Sequence, residues 1–332
     1  MLNPKMYLNP KLFDKDVEQV PTRNGYGEGL VALGKINPNV VVLTGDLKES
    51  TRVEAFAKEF PERFIECGVA EQNMAGIAAG LGVSGKIPFI SSYAVFSPGR
   101  SWDQVRVSIC YNDSNVKIVG AHTGVSVGPD GATHQALEDI AITRVLPHLT
   151  VMVPCDANQT RQMTIAAAER WGPIYFRFTR EKTPVITTAK TPFEIGPAQI
   201  YWQPKKGKPE VTIIACGPLL FEALLAAKKL EEHDQIASQV INLTTIKPID
   251  TQTLAKAARI TGAVVTVEEH QVTGGMGSAV AETLASHAPV PIEFVGMPDS
   301  FGESGEPDEL LIKYGMKSSD IIAAVRRVIK RK

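Results

Sequence analysis

The chain has 332 residues, enough for two domains of ordinary size, each with its own core and neither in need of disulfide or metal staples. Its 35 Lys and Arg balance 36 Asp and Glu to a formal net charge of -1, which excludes the basic footprint of a nucleic-acid binder. With no run near the roughly 20 apolar residues of a membrane span and a polar N-terminus without a secretory signal, the expectation is a cytoplasmic protein with no membrane partner.

The four cysteines, Cys67, Cys110, Cys155 and Cys216, are widely spaced and form no CxxC pair, so no metal site is expected. Residues 1–19 read as an N-terminal extension. From residue 20, short β-branched runs (Val40–Leu43, Val116–Val119, Thr150–Val153, Ile174–Phe176) alternate with helical segments at Gly25–Leu33, Glu71–Leu81, Ser101–Cys110, Leu137–Ile142 and Ala157–Arg170. Near-continuous apolar runs are the mark of strands covered on both faces, and the alternation predicts a doubly wound α/β domain over 20–190.

Pro and Lys then crowd residues 191–209, which read as a linker. Beyond it, strands at Val211–Ala215, Gln239–Leu243, Ala263–Val267 and Ile292–Val295 alternate with helices at Pro218–Glu232, Thr251–Arg259, Gly277–Ser286 and Ser318–Ile329. This predicts a second, smaller α/β domain over 210–332.

Ligands of parallel sheets sit beyond the carboxyl ends of the strands. There the sequence places Gly45-Asp46 and Ser50, His122, Asp130, His134 and Arg180. Asp, Gly and Thr also simply make turns and cap helices. Several such loops at one edge instead suggest a polar, anionic ligand, since Arg, Ser and helix N-termini suit phosphate.

Glu71 opens a segment of small apolar residues, Ala75-Gly76-Ile77-Ala78-Ala79-Gly80-Leu81-Gly82. A first-turn acid is favoured by the helix dipole alone. Gly and Ala on every side predict close packing all round, hence a carboxyl at a buried interface, where burial favours a protonated form able to donate a hydrogen bond. Tyr93, Phe96 and Trp102 flank a Pro98-Gly99 turn, in polar, turn-forming surroundings rather than those of a core. The Gly274-Gly275-Met276-Gly277 cluster is better explained by tight helix–sheet packing than by a nucleotide.

In order along the chain, Arg23, Gly45-Asp46, Phe60-Pro61-Glu62-Arg63-Phe64, Gly68-Val69-Ala70-Glu71-Gln72-Asn73-Met74, the aromatic segment, His122, Asp130-Gly131-Ala132-Thr133-His134-Gln135 and Arg180 resemble the pyrimidine-binding domain of transketolase. Residues 210–332, with Val267-Glu268-Glu269-His270 and Gly274-Gly275-Met276-Gly277-Ser278, resemble its C-terminal domain. The Gly-Asp-Gly motif of the diphosphate-binding domain is missing, and the chain starts where that domain would end. The resemblance therefore implies the C-terminal subunit of a split transketolase. Its partner would be a separate N-terminal subunit carrying thiamine diphosphate's diphosphate and Mg²⁺, in an α2β2 heterotetramer.

The resemblance also implies roles. Glu71 would hydrogen-bond the aminopyrimidine nitrogen and drive the tautomer that activates the coenzyme. Asp46 would support the cofactor site, and Tyr93, Phe96 and Trp102 would stack on the pyrimidine. His122, Asp130 and His134 would orient and exchange protons with sugar hydroxyls. Arg23, Ser50 and Arg180 would clamp the phosphate of a phosphorylated sugar. The Ala-Glu-Gln form around Glu71 is also similar to deoxyxylulose-phosphate synthase. Other readings are the β-subunit of a 2-oxoacid dehydrogenase, on the same scaffold, and a non-catalytic regulatory subunit that kept the fold.

Overall fold

β-Branched runs flanked by turn residues form strands, and Val40–Thr44 and Lys117–Ala121 are buried at every position, as strands covered on both faces must be. The computed structural model describes residues 1–332. It has two α/β domains with mostly parallel sheets. The first sheet has seven strands in the order Thr245–Lys247, Thr150–Met152, Ile174–Arg177, Lys117–Ala121, Ile87–Tyr93, Val40–Thr44 and Phe64–Glu66. All but Thr245–Lys247 run parallel, so six carboxyl ends open at one edge. The second sheet is ordered Ile292–Met297, Val264–Gln271, Val211–Ala215, Ser238–Asn242 and Gln199–Trp202, the last antiparallel.

Helix Thr22–Ile36 lies against helix Ala157–Glu169 at unusually short range: a Cβ on Gly25 would stand 1.9 Å from the Ala157 carbonyl oxygen. Glycine is what permits this approach, and the approach fixes Arg23 at the open edge of the first sheet. The glycine cluster in the second domain serves packing, as its sequence suggests. The Glu268 carboxylate accepts the N–H groups of Met276 (2.6 Å) and Gly277 (2.7 Å) at the start of helix Met276–His287.

Several expectations need correction. The segment 191–209, expected as a linker, also carries a strand, Gln199–Trp202, which completes the second sheet by pairing with Ser238–Asn242. The extension 1–19 docks on the second domain, where Met6, Leu8 and Leu12 enter the core around Tyr201 and Leu220. Thr245–Lys247, from the second half of the chain, adds an edge strand to the first sheet. A shared core of 33 buried side chains runs from Met74 and Ile90 through Tyr175 to Ile214, Leu254 and Met276, joining the domains. The expected helix Ser101–Cys110 is an α-turn, Trp102–Gln104, followed by a π-helical stretch, Val105–Tyr111. Helix Glu71–Val83 is not packed all round. Gln72, Asn73, Gly76, Gly80 and Val83 line an exposed side, where a Cβ on Gly76 or Gly80 would meet nothing within 4 Å. No helix is long and apolar enough to cross a membrane.

Candidate active site

Six parallel strands deliver their C-terminal loops to one edge, and the polar residues read from the sequence gather there. Glu71 opens its helix beside the turn after Val40–Thr44, with its Cγ 3.9 Å from where a Gly45 Cβ would be. Its side chain is 1% exposed, and Oε2 accepts from Arg100 Nη1 at 3.1 Å. Arg100 is half exposed and its guanidinium carbon lies 4.8 Å from the Phe96 ring centre. Burying a carboxyl group is expensive without a hydrogen-bonding partner, and Arg100 supplies one.

Asp46 is exposed and left-handed (φ +62°). The Glu66 carboxylate fixes that turn by accepting the N–H groups of Asp46 (2.7 Å) and Gly68 (3.0 Å). A single side chain thus ties the Gly45-Asp46 turn to the loop that leads into Glu71.

Across from it lies a compact group of rings. Tyr93 and Phe96 stack with centres 6.0 Å apart and planes 23° apart. His122 lies 4.0 Å from Tyr93, and His134 meets Tyr93 and Phe96 edge-on at 5.9 and 5.5 Å. His122 is also left-handed (φ +56°), a conformation uncommon among residues other than glycine. Burial, reinforced by the charges of Arg23 and Arg180 and by His134, pushes its imidazole down to about 3, so the ring is neutral at ordinary pH. Its Nδ1 is buried with no hydrogen-bond partner. His134 Nδ1 is held by the Thr133 hydroxyl at 2.9 Å.

The third group is basic. Arg23 Nη1 donates to the Ser50 carbonyl oxygen at 3.0 Å, and its Nε is buried without a partner. Burial, then the nearby Arg52 and Arg180 charges, lower the Arg23 guanidinium from its ordinary value. Arg180 Nη1 donates to the Val127 carbonyl (3.2 Å) and to Asp130 (3.1 Å), which ties Asp130 to the same wall. Guanidiniums that repel one another in this way have the chemistry that suits an anion of compact charge.

Trp102 is the exception. Its indole N–H donates to the Ile142 carbonyl at 2.7 Å and its ring packs on the core shared by the two domains, so it takes no part in the aromatic wall. Three residues of the site were not singled out from the sequence. Arg100 pairs with Glu71, Arg52 stands beside Arg23 with its Nε on Asn24 (3.1 Å), and Glu66 braces the two turns. Arg52 and Arg100 both follow strand-end turns already flagged as polar, which was the available signal. For Glu66 there was none.

The model of the transketolase pyrimidine-binding domain matches residues 18–185, and that of the transketolase C-terminal domain matches 201–321. The chain is 44% identical over 312 residues to a "Putative transketolase C-terminal section" of Methanocaldococcus jannaschii, covering 93% of this chain and 96% of that protein. It is 38% identical to a 6-deoxy-6-sulfo-D-fructose transketolase subunit of a Clostridium species, covering 96% and 98%. A solved structure described as a split gene transketolase, inactive beta4 tetramer, superposes with a TM-score of 0.87 at 48% identity over 94% of this chain and 99% of that one. Of other curated relatives, the chain spans about half the length. With both domains matched and relatives this similar along nearly their whole length, the chain belongs to the transketolase family as a subunit of the split, C-terminal kind.

Proposed function

We propose that this chain is the C-terminal subunit of a split transketolase that moves a two-carbon ketol unit from a ketose phosphate to an aldose phosphate. Enzymes of the family depend on thiamine diphosphate. On this reading, a separate N-terminal subunit holds the diphosphate and Mg²⁺, and the two chains assemble as α2β2. The observation that carries it is Glu71, a buried carboxyl group at the sheet edge, heading a helix with one exposed side and joined through Arg100 to Phe96 of the stacked Tyr93–Phe96 pair.

Those residues suit the pyrimidine end of the cofactor. Glu71 would hold a proton at the ring nitrogen, and Phe96 and Tyr93 would offer the stacking face. Asp46 would stand beside it in the turn that Glu66 braces. When bound, thiamine diphosphate supplies a nucleophilic carbon that adds to the ketose carbonyl. His122, neutral and with an unpaired Nδ1, can exchange a proton with a sugar hydroxyl, and His134 and Asp130 can orient the neighbouring ones. Arg23 and Arg180, with Ser50 at their side, would hold the sugar's anionic end.

The test is co-expression with the N-terminal chain followed by a ketol-transfer assay from xylulose 5-phosphate to ribose 5-phosphate. The same guanidinium pair would also hold a sulfonate, so a sulfosugar donor belongs in the assay. Transfer by the complex and none by this chain alone is the expected result. Robust turnover by this chain without a partner would refute the split-subunit reading.

A further inference from the structure

The turn Val125–Asp130 carries two groups that receive Arg180, the Val127 carbonyl and the Asp130 carboxylate, yet the second domain braces it on both sides. On one side Glu269, at the end of strand Val264–Gln271, is buried, and its Oε1 accepts the Ser126 N–H at 2.6 Å. Gly124 (φ +85°) lies so near that a Cβ there would stand 2.2 Å from that oxygen, so only glycine lets the carboxylate reach the turn. On the other side lie Gly302–Pro307. Gln135 Nε2 donates both to the Val125 carbonyl (3.0 Å) and to the Glu303 carbonyl (2.8 Å), and a Cβ on Gly302 would come within 1.9 Å of Gln135 Oε1. Arg177 closes the frame from beneath, donating to the carbonyls of Glu269 (3.2 Å) and Ala136 (3.1 Å).

We propose that Glu269 is a positioning residue by which the second domain sets the Val125–Asp130 turn, and through its Val127 carbonyl and Asp130 carboxylate the Arg180 guanidinium, which meets the anionic end of the substrate. The use of that turn rests on the function proposed above; the clamp itself is a property of this chain alone. A carboxylate taken fully out of water is retained only where its hydrogen bonds are strong, and a charged acceptor on a backbone N–H is among the stronger ones. Among the side chains that support the turn, Glu269 is the one that accepts one of its N–H groups, while Gln135 and Arg180 donate to its carbonyls.

The experiment measures amide hydrogen exchange in the full chain, without partner or cofactor, for wild type, Glu269→Gln and Glu269→Ala. Glutamine keeps an oxygen at the Ser126 N–H and is expected to leave residues 124–131 protected. Alanine removes it and should speed exchange there at least about tenfold, with strand Lys117–Ala121 unchanged. In the reconstituted enzyme, Glu269→Ala should raise KM for a phosphorylated donor about tenfold with kcat within about threefold, and Glu269→Gln should restore KM. Should the alanine variant not fold, Glu269→Asp keeps the charge, withdraws the oxygen by one methylene, and gives the same two readings.

Unaltered exchange in the turn overturns the clamp. A released turn with kcat lowered and KM unmoved overturns the positioning role. A wild-type complex without ketol transfer would count against the proposed function, while the exchange result would still decide the clamp.

Discussion

His122 makes the stability of this chain depend on pH in a calculable way. The ring is 1% exposed, lies 4.0 Å from Tyr93, and shares its wall with Arg23 and Arg180, so folding holds it at about 3 against an ordinary 6.5. Because the folded value is the lower one, the stability contributed by the neutral ring is complete only well above pH 6.5. It is lost as pH falls and the unfolded chain takes up a proton that the folded chain refuses. Between about pH 8 and about pH 5 the loss amounts to about 2 kcal/mol, the slope approaching about 1.4 kcal/mol per pH unit below 6.5. The assay is urea unfolding of wild type and His122→Asn, asparagine being tolerant of the left-handed backbone at this position. Other titrating groups cancel in the comparison, so the wild type should lose about 2 kcal/mol more than the variant over that interval. Two curves that stay parallel would mean the ring takes up its proton in the folded state, and the neutral His122 of the proposed mechanism would fall.

Other outcomes are expected. Lys117 is fully buried with its ammonium on Asn115 Oδ1 (2.7 Å) and the carbonyls of Arg170 (2.7 Å) and Gly172 (2.8 Å). Lys117→Met, which takes the donor from both carbonyls while Asn115 Oδ1 keeps the Gly172 N–H (3.2 Å), should cost about 3 kcal/mol or more in urea unfolding. Arg180→Ala in the assembled enzyme should raise KM at least about tenfold for phosphorylated donors and little for unphosphorylated ones; an equal effect on both would argue against an anion clamp. Gly80→Arg, on the open side of helix Glu71–Val83, should leave thermal stability intact, since its Cβ meets nothing, yet weaken binding of the N-terminal chain at least about tenfold in a titration. Undiminished binding would place the partner elsewhere.

The sequence yields what local pattern encodes. Val40–Thr44 and Lys117–Ala121 are legible because burial on both faces demands unbroken apolar runs. Ile87–Tyr93, which lies between them, is not, because Pro88, Ser91 and Ser92 break the run. The fold tolerates these serines deep inside, with Ser91 meeting the Tyr26 hydroxyl at 2.6 Å and Ser92 fully buried. Gln199–Trp202 hid in Pro- and Lys-rich surroundings because an edge strand needs pairing on one side only.

Site residues at strand ends were legible because topology sends every parallel strand's loop to one edge. Trp102 was misplaced because residues 102–111 wind partly as a π-helix and turn the indole toward Ile142. The Arg100–Glu71 pair spans 29 residues and the Ser126–Glu269 bond 143, and no local pattern announces tertiary partners that far apart.

The most direct test is hydrogen–deuterium exchange at the reactive carbon of thiamine diphosphate in the assembled enzyme, comparing wild type with Glu71→Gln. If Glu71 governs the proton on the aminopyrimidine, exchange should be fast in the wild-type complex and slower by about 10²–10⁴ in the variant, with the cofactor still bound. Exchange at the wild-type rate in Glu71→Gln would contradict the account.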